Sequence, residues 1–285
     1  MPRGLDHIAH AVRDLDAAAD HYRRLGFTVG ARNRHSWGTH NHIVQLDGFF
    51  IELLTVAEPE KFGSDGFSTL FARFNQSFLT RQQGLSLLIL QSEDAGSDAA
   101  AFKSAGIAAS DKLSFEREAR RPDGTPVKVG FSLAFARDAE ASDAGFAVCQ
   151  QHYPENFWNP AFQQHPNGVS AVTGVVLVAE NPADHHIFLS AFSCVRELHA
   201  TSGAVSAQTP RGAVTIMDAA AFRAHFGVAP PDIVRGARLA AIEFAVREPA
   251  ALQAALRAGD VAFSSQLSRI VIAPGFARGA TLVFT

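Results

Sequence analysis

Two side chains near the start of the chain, His7 and Glu52, have the types and the placement to do chemistry together. Residues 5–12 read as a short strand, and residues 48–55 read as the second arm of a hairpin. Side chains alternate across a strand, and His7 and Glu52 each belong to the less apolar set of their strand. Because a helix covers the more apolar face of such a sheet, we expect the two side chains to share the uncovered, concave face.

This pairing is suited to binding a divalent metal. Imidazole nitrogen and carboxylate oxygen are donors that a borderline divalent metal accepts, with open positions left for substrate. His152, at the end of a later strand, is our candidate for a third ligand, giving two imidazoles and one carboxylate. Simpler interpretations stay open, because His7 and Glu52 can form a hydrogen-bonded pair and His152 can be a histidine at the end of a loop.

Further polar candidates surround this pair. If the reaction transfers a proton, Glu52 would alternate between ligand and base, and His35 would serve as acid or base. Thr39 and Asn41 are placed to orient a polar substrate, although threonine and asparagine also stabilise turns unaided. Phe50 shares the predicted face of Glu52 and is expected to contact the substrate.

Other features of the sequence point away from chemistry. Cys149 is most simply a small buried hydrophobe. The basic cluster Arg117, Arg120 and Arg121 favours a surface position over recognition of a carboxylate. The sequence contains no serine–histidine–aspartate order, no P-loop and no dinucleotide-binding glycine pattern.

The elements that must position these residues form a compact unit. Asp14 or Asp16 can cap a helix that follows the first strand, and Gly26 can end that helix in the left-handed conformation. Together with the hairpin, the strand and helix predict a βαβββ unit over residues 5–56.

The same order of elements recurs along the chain. A shift of 80 residues superposes Gly106 on Gly26, and further units begin near Val169 and at Leu239. A unit of this size cannot bury its own sheet. We therefore predict an α+β fold of four βαβββ modules, paired into two cupped mixed β-sheets with helices on the outside.

The two predicted domains differ in the residues that occupy the positions of His7 and Glu52. Residues 1–158 form the domain with the candidate site, and residues 159–285 form a second domain of two degenerate modules. In the register of the repeat, the position of His7 is taken by Leu87, Gly174 and Ala241, and that of Glu52 by Ile216 and Val283. Any metal site should therefore lie in the N-terminal half.

Between the first two modules, residues 57–83 read as a loop followed by a helix. The apolar stripe of this helix consists of Phe67, Leu70, Phe71 and Phe74. Such a stripe is more typical of a core or a domain interface than of a ligand site.

Composition narrows the class of protein. The chain has 285 residues, of which 47% are hydrophobic and 19% are charged, and this is a globular composition. A formal charge of −3 predicts no nucleic-acid or anionic-membrane partner. No apolar run approaches the roughly 20 residues that span a bilayer, and the first strand starts too early for a signal peptide. The two cysteines have no metal-binding spacing, so we expect a cytoplasmic protein.

Several segments resemble the glyoxalase-like branch of the vicinal-oxygen-chelate superfamily, above all over residues 3–56. The segments are Leu5-Asp-His-Ile, Gly38-Thr-His-Asn, Phe50-Ile-Glu-Leu-Leu, residues 150–158 and His165-Pro-Asn-Gly. The resemblance implies a cupped sheet in which a divalent metal is chelated by neighbouring oxygens of a substrate. His7 and Glu52 match the usual ligand positions of the first module, whereas Leu87 departs from the pattern in the second.

The resemblance leaves two classes of function open. One is a metal-dependent enzyme, a lyase or isomerase or else a dioxygenase, that acts on a small vicinal-oxygen substrate with Zn, Fe, Mn or Ni. The other is a metal-free protein of the bleomycin-resistance type that sequesters a small molecule. Related cups often complete their clefts across subunits, so a homodimer is an open alternative.

Overall fold

The computed structural model describes residues 1–120 and 124–285, with the side chain of Arg120 left out. That side chain and the whole of Arg121, two members of the predicted basic cluster, therefore lie outside the described residues.

The first module has the predicted elements. They are β1 (Leu5–Ala11), α1 (Leu15–Arg24), β2 (Asn33–Arg34), β3 (Thr39–Leu46) and β4 (Phe49–Val56). The Asp14 side chain caps α1 by accepting a hydrogen bond from the Ala17 amide. The turn between β3 and β4 is Asp47-Gly48, where Gly48 adopts a left-handed φ of +63°, which glycine tolerates without strain.

The second module follows a helical connection. A π-helical segment (Phe67–Ala72) runs directly into α2 (Arg73–Arg81). The module then contains β5 (Gly84–Gln91), α3 (Ala95–Ser104), β6 (Leu113–Arg120), β7 (Pro126–Ala136) and β8 (Gly145–Gln151). A short helix α4 (Pro154–Phe157) begins the connection to the second half.

The second half repeats the order of elements. Its third module contains β9 (Val169–Val178), α5 (His186–Ser193), β10 (His199–Ala200), β11 (Ala204–Gln208) and β12 (Ala213–Met217). A helix that the sequence reading missed, α6 (Ala219–Phe226), precedes the fourth module. That module contains β13 (Arg238–Val246), α7 (Pro249–Ala258), β14 (Ser264–Gln266), β15 (Arg269–Ile272) and β16 (Thr281–Phe284).

The strands of the described residues form two eight-stranded mixed sheets with the same internal order. The first is β2-β3-β4-β1-β5-β8-β7-β6 and the second is β10-β11-β12-β9-β13-β16-β15-β14. In each module the first strand pairs in parallel with the last, and the two first strands of a sheet pair antiparallel. The predicted α+β fold of four paired βαβββ modules is therefore confirmed.

One face of each sheet contributes to a core that the two halves share. A single apolar cluster contains Leu5 and Ile8 from β1 together with Val175 and Leu177 from β9. The helices α1, α3, α5 and α7 lie in this layer, where α1 packs near α7 and α3 near α5. The opposite faces of the two sheets carry separate clusters, and these are the interiors of the two cups.

The two cups are filled differently. In the C-terminal cup, Phe222 and Phe226 of α6 are fully buried against Val176, Val178 and Val283. In the N-terminal cup, the helical segment at 67–81 contributes Phe67 and Phe71, and an open cavity remains beside them.

No helix within the described residues is both long enough and apolar enough to cross a membrane.

Candidate functional site

The N-terminal cup encloses a cavity of about 460 Å³, which is within the usual size range for small-molecule sites. Its wall is mainly apolar and includes the rings of Trp37, Phe67 and Phe115, while His7 and Glu52 supply polar groups. The predicted meeting of an imidazole and a carboxylate in one concavity is therefore observed.

His7 is held in a fixed orientation by its neighbours. Its ring stacks on that of Phe50, with centroids 4.2 Å apart and planes 10° apart. Its Nδ1 lies 2.5 Å from Oδ1 of Asp6, whose other oxygen accepts a hydrogen bond from Gln151 Nε2 at 3.1 Å. An ionised carboxylate can only accept, so Nδ1 carries a proton, and in the neutral form of the ring Nε2 has the lone pair.

A β-bulge brings Asp6 beside His7. Leu5 pairs with Leu90 and His7 pairs with Ile89, so Asp6 has no residue of its own opposite it in β5. An extra residue of this kind re-aims the neighbouring side chain. Simple alternation would send Asp6 to the helix side of the sheet, which is why the sequence reading missed it.

Glu52 is almost fully buried, and burial raises the pKa of its carboxyl group. The nearby His7 and a hydrogen bond from Asn41 oppose this shift. Asn41 Nδ2 donates to Glu52 Oε1 at 2.6 Å, and Asn33 Nδ2 donates to Asn41 Oδ1 at 3.1 Å. The chain of amides fixes one oxygen of Glu52.

The predicted polar set at His35, Thr39 and Asn41 is only partly in the cavity. His35 and Asn41 line it, whereas Thr39 is fully buried and its Oγ1 lies 2.8 Å from His35 Nδ1. Thr39 thus orients His35. Desolvation, with help from the positive charge of Arg117, lowers the pKa of His35 to about 3, so His35 is neutral near pH 7.

Cys149 joins the site where the sequence reading expected a plain hydrophobe. One ligand atom each from Asp6, His7 and Cys149 lies within 4.8 Å of the others, and all three residues are buried. Burial, together with the charges of Asp6 and Glu52, raises the pKa of the Cys149 thiol. Imidazole, carboxylate and thiol donors form a set that suits Zn or Fe.

The structure does not bring His152 to these residues, contrary to the prediction. Its Nε2 lies 2.7 Å from Ser132 Oγ, and its side chain is exposed. Ser132 lies between Phe131 and Leu133, both of which line the cavity, so Ser132 and His152 are on the other face of the sheet.

One prediction is confirmed in part and one needs correction. Phe67 and Phe71 belong to a buried apolar cluster, as predicted, and they also line the cavity. Arg117, expected at the surface, also lines it and is half-buried. In the sequence of β6, Arg117 has the same parity as Leu113 and Phe115, and this alternation could have placed it inward.

The other modules offer little at the equivalent positions. Glu52 pairs with Ala9, and the matching residue of the second module is Ala147, which pairs with Ile89. In the third module the equivalent residue is Thr215, which pairs with Val176. The predicted Ile216 is wrong by one residue and lies in the shared core.

Comparison with known proteins agrees with this architecture. A family model described as a glyoxalase-like domain matches residues 5–192, more than half of the chain. A search of curated proteins found no match. The resemblance inferred from the sequence is thus confirmed at the level of the family.

Solved structures show the same fold at low sequence identity. A hypothetical protein from Staphylococcus aureus is 15% identical with a TM-score of 0.69, and the match covers 99% of each chain. A mutant of 4-hydroxymandelate synthase from Streptomyces coelicolor is 12% identical with a TM-score of 0.59, covering 100% of this chain and 92% of that one. A xylose isomerase-like TIM barrel/4-hydroxyphenylpyruvate dioxygenase fusion protein is 14% identical with a TM-score of 0.54, covering 100% and 48%.

Proposed function

The chain belongs to the glyoxalase-like domain family, and on that basis we propose that its N-terminal cup is the active site of a metal-dependent enzyme. The substrate would be a small molecule with two neighbouring oxygens and an apolar body. Lyase or isomerase chemistry and dioxygenase chemistry both remain candidates, since one superfamily fold hosts several reactions.

The observation that carries this proposal is the support of His7 by Asp6. A histidine that ligates a metal usually donates its other ring N–H to a carboxylate, which fixes the tautomer and the ring orientation. The short contact between His7 Nδ1 and Asp6 supplies that support and leaves Nε2 for a metal.

The donors available fit a borderline divalent cation. His7 and Cys149 of the buried group would hold it, together with Glu52 from the same cavity wall and with Asp6 behind His7. A bound metal of this kind supplies Lewis-acid polarisation of a carbonyl or enolate oxygen. Binding would displace the proton of the Cys149 thiol, because a coordinating thiol is deprotonated.

The remaining chemistry rests on side chains of the chain itself. Because burial raises the pKa of Glu52, this carboxylate is a better proton acceptor than an exposed one and can serve as a general base. Asn41 keeps one of its oxygens oriented. His35, neutral at physiological pH, can exchange hydrogen bonds with a substrate oxygen but does not bring a positive charge.

Metal content is the direct test. We expect the protein, loaded in turn with Zn, Fe, Mn and Ni and then desalted, to retain about one equivalent of at least one of these metals. His7→Ala and Glu52→Gln should each weaken its binding by more than the 10–100-fold that loss of a group behind a ligand costs. Elemental analysis and competition with a chromophoric chelator give both quantities.

His152→Ala is the matched control, because this imidazole lies on the other face of the same sheet. It should leave metal binding unchanged. Wild-type protein that retains no metal under any loading condition, or a His152 variant that loses metal as readily as the His7 variant, would contradict the proposal.

A second candidate function is metal-free binding of a small molecule, and one observation favours it. Asn41 already satisfies one oxygen of Glu52, and the second module offers Ala147 at the position equivalent to Glu52 and Leu87 at that of His7. The site is thus partly satisfied without a cation. Ligand affinity that is identical before and after chelation would favour this candidate.

A further inference from the structure

Arg117 carries its charge in the wall of the cavity without a counter-charge beside it. The residue lies on β6 on the same face as Phe115 and Ala119, which also line the cavity. Burial lowers the pKa of its guanidinium, and no carboxylate of the described residues opposes this effect. Leaving a half-buried cation unpaired is costly, and a bound anion would remove that cost.

A second donor without a partner belongs to another residue of the same cavity wall. The indole Nε1 of Trp37 is buried and has no hydrogen-bond acceptor among the described residues. Trp37 lines the cavity and packs edge-on against Phe115, with ring centroids 5.0 Å apart. Buried polar groups are normally paired, so the unpaired charge of Arg117 in the cavity wall indicates a ligand with acceptor oxygens.

We propose that the cavity takes a small organic carboxylate, whose carboxylate group is bound by Arg117 and whose apolar body packs against the aromatic wall. The inference names a substrate class for the proposed function. It rests on that function for the placement of the reacting part of the substrate near His7 and Glu52. Carboxylate and guanidinium match in a planar, two-bond geometry.

Charge balance favours a carboxylate over a phosphate. Arg117 is the only arginine or lysine that lines the cavity among the described residues, and it can neutralise one negative charge. A phosphate monoester carries nearly two charges at pH 7 and would meet the buried Glu52 in the same cavity. The aromatic wall formed by Phe67, Phe71 and Phe115 also suits a flat apolar body.

Calorimetric titration with three probes tests this inference in protein kept in chelator. The probes are 3-phenylpropanoate, its neutral amide and phenyl phosphate. We expect wild-type protein to bind the carboxylate about tenfold or more tightly than the amide, as for a charge-assisted hydrogen bond. Arg117→Gln should remove this preference, and Arg117→Lys should retain part of it, because a lysine keeps the charge but not the planar geometry.

Arg34→Gln is the matched control. Arg34 lies on β2 between two cavity-lining residues, Asn33 and His35, but is exposed on the other face. This variant should keep the full carboxylate preference. Equal affinity of wild-type protein for carboxylate and amide would overturn the inference without reliance on any variant, as would a preference that survives in Arg117→Gln or a tighter complex with phenyl phosphate.

The outcome is separable from that of the metal test. A carboxylate preference in a protein that never retains metal would support Arg117 as the anchor and contradict the proposed enzyme. Metal retention at His7 without any carboxylate preference would support the enzyme and overturn the anchor.

Discussion

The C-terminal cup is closed by its own helix, whereas the N-terminal cup keeps a cavity, although both are built from the same order of strands. Phe222 and Phe226 of α6 enter the C-terminal cup from the connection between the third and fourth modules. The corresponding connection between the first two modules sends Phe67 and Phe71 to the wall of the cavity instead.

The polar residues follow the same division. The open cup contains His7, Glu52 and Arg117, while the equivalent positions of the closed cup hold Gly174 and Thr215. Under the proposed function, one half of the chain would bind the ligand and the other half would support it.

The largest expected effect comes from opening the closed cup. Phe222→Ala removes a fully buried ring from a packed cluster and should lower the free energy of unfolding by about 3–5 kcal/mol. Phe67→Ala should cost less, because this ring borders a cavity that already exists. Urea denaturation of both variants checks the difference, and equal losses would mean that the open cup is packed as tightly as the closed one.

A smaller effect is expected from removing the carboxylate behind His7. Asp6→Asn should weaken metal binding about 10–100-fold, as found for groups that orient a metal ligand, while leaving the metal ligands in place. Asp138→Asn is the control, because Asp138 pairs with His185 at 2.6 Å in another part of the molecule. If the two substitutions change metal affinity equally, the role assigned to Asp6 is wrong.

The smallest expected effect is on the pH dependence of the free energy of unfolding. The pKa of His35 is about 3 in the folded chain, against about 6.5 when unfolded. The neutral form is therefore favoured by folding, so its contribution is fully present above pH 6.5 and is lost as the pH falls towards 3. In His35→Gln, unfolding free energy measured between pH 7 and pH 5 should fall less steeply than in the wild type. His186→Gln, at an exposed position of the C-terminal half, should keep the wild-type slope.

The periodicity of hydrophobic residues, together with the residues that cap helices and form turns, was sufficient to predict the modules. The capping aspartate Asp14, the glycine that ends α1 and the Asp47-Gly48 turn each act over a few neighbouring residues, so they can be read locally. Helix α6 was missed because its short apolar face depends on Phe222 and Phe226, and what they fill is known only once the sheet has formed.

The site was less predictable, for reasons of register. His7 and Glu52 follow strand alternation and were found. Asp6 was not predicted as a site residue, because the bulge that places it depends on the pairing of β1 with β5. His152 was misplaced although alternation fixes its face: Cys149 lines the cavity, so His152, three residues later, falls on the opposite face of the sheet.

Because both sheets share one core, removal of the C-terminal half would affect the N-terminal half. All of the cavity-lining residues fall between His7 and Phe162, so a truncated gene product ending soon afterwards would carry the full set. Yet Leu5 and Ile8 would then face water instead of Val175 and Leu177. Transfer of this cavity into another protein would therefore require the C-terminal half as well, because its residues complete the apolar core beneath the N-terminal sheet.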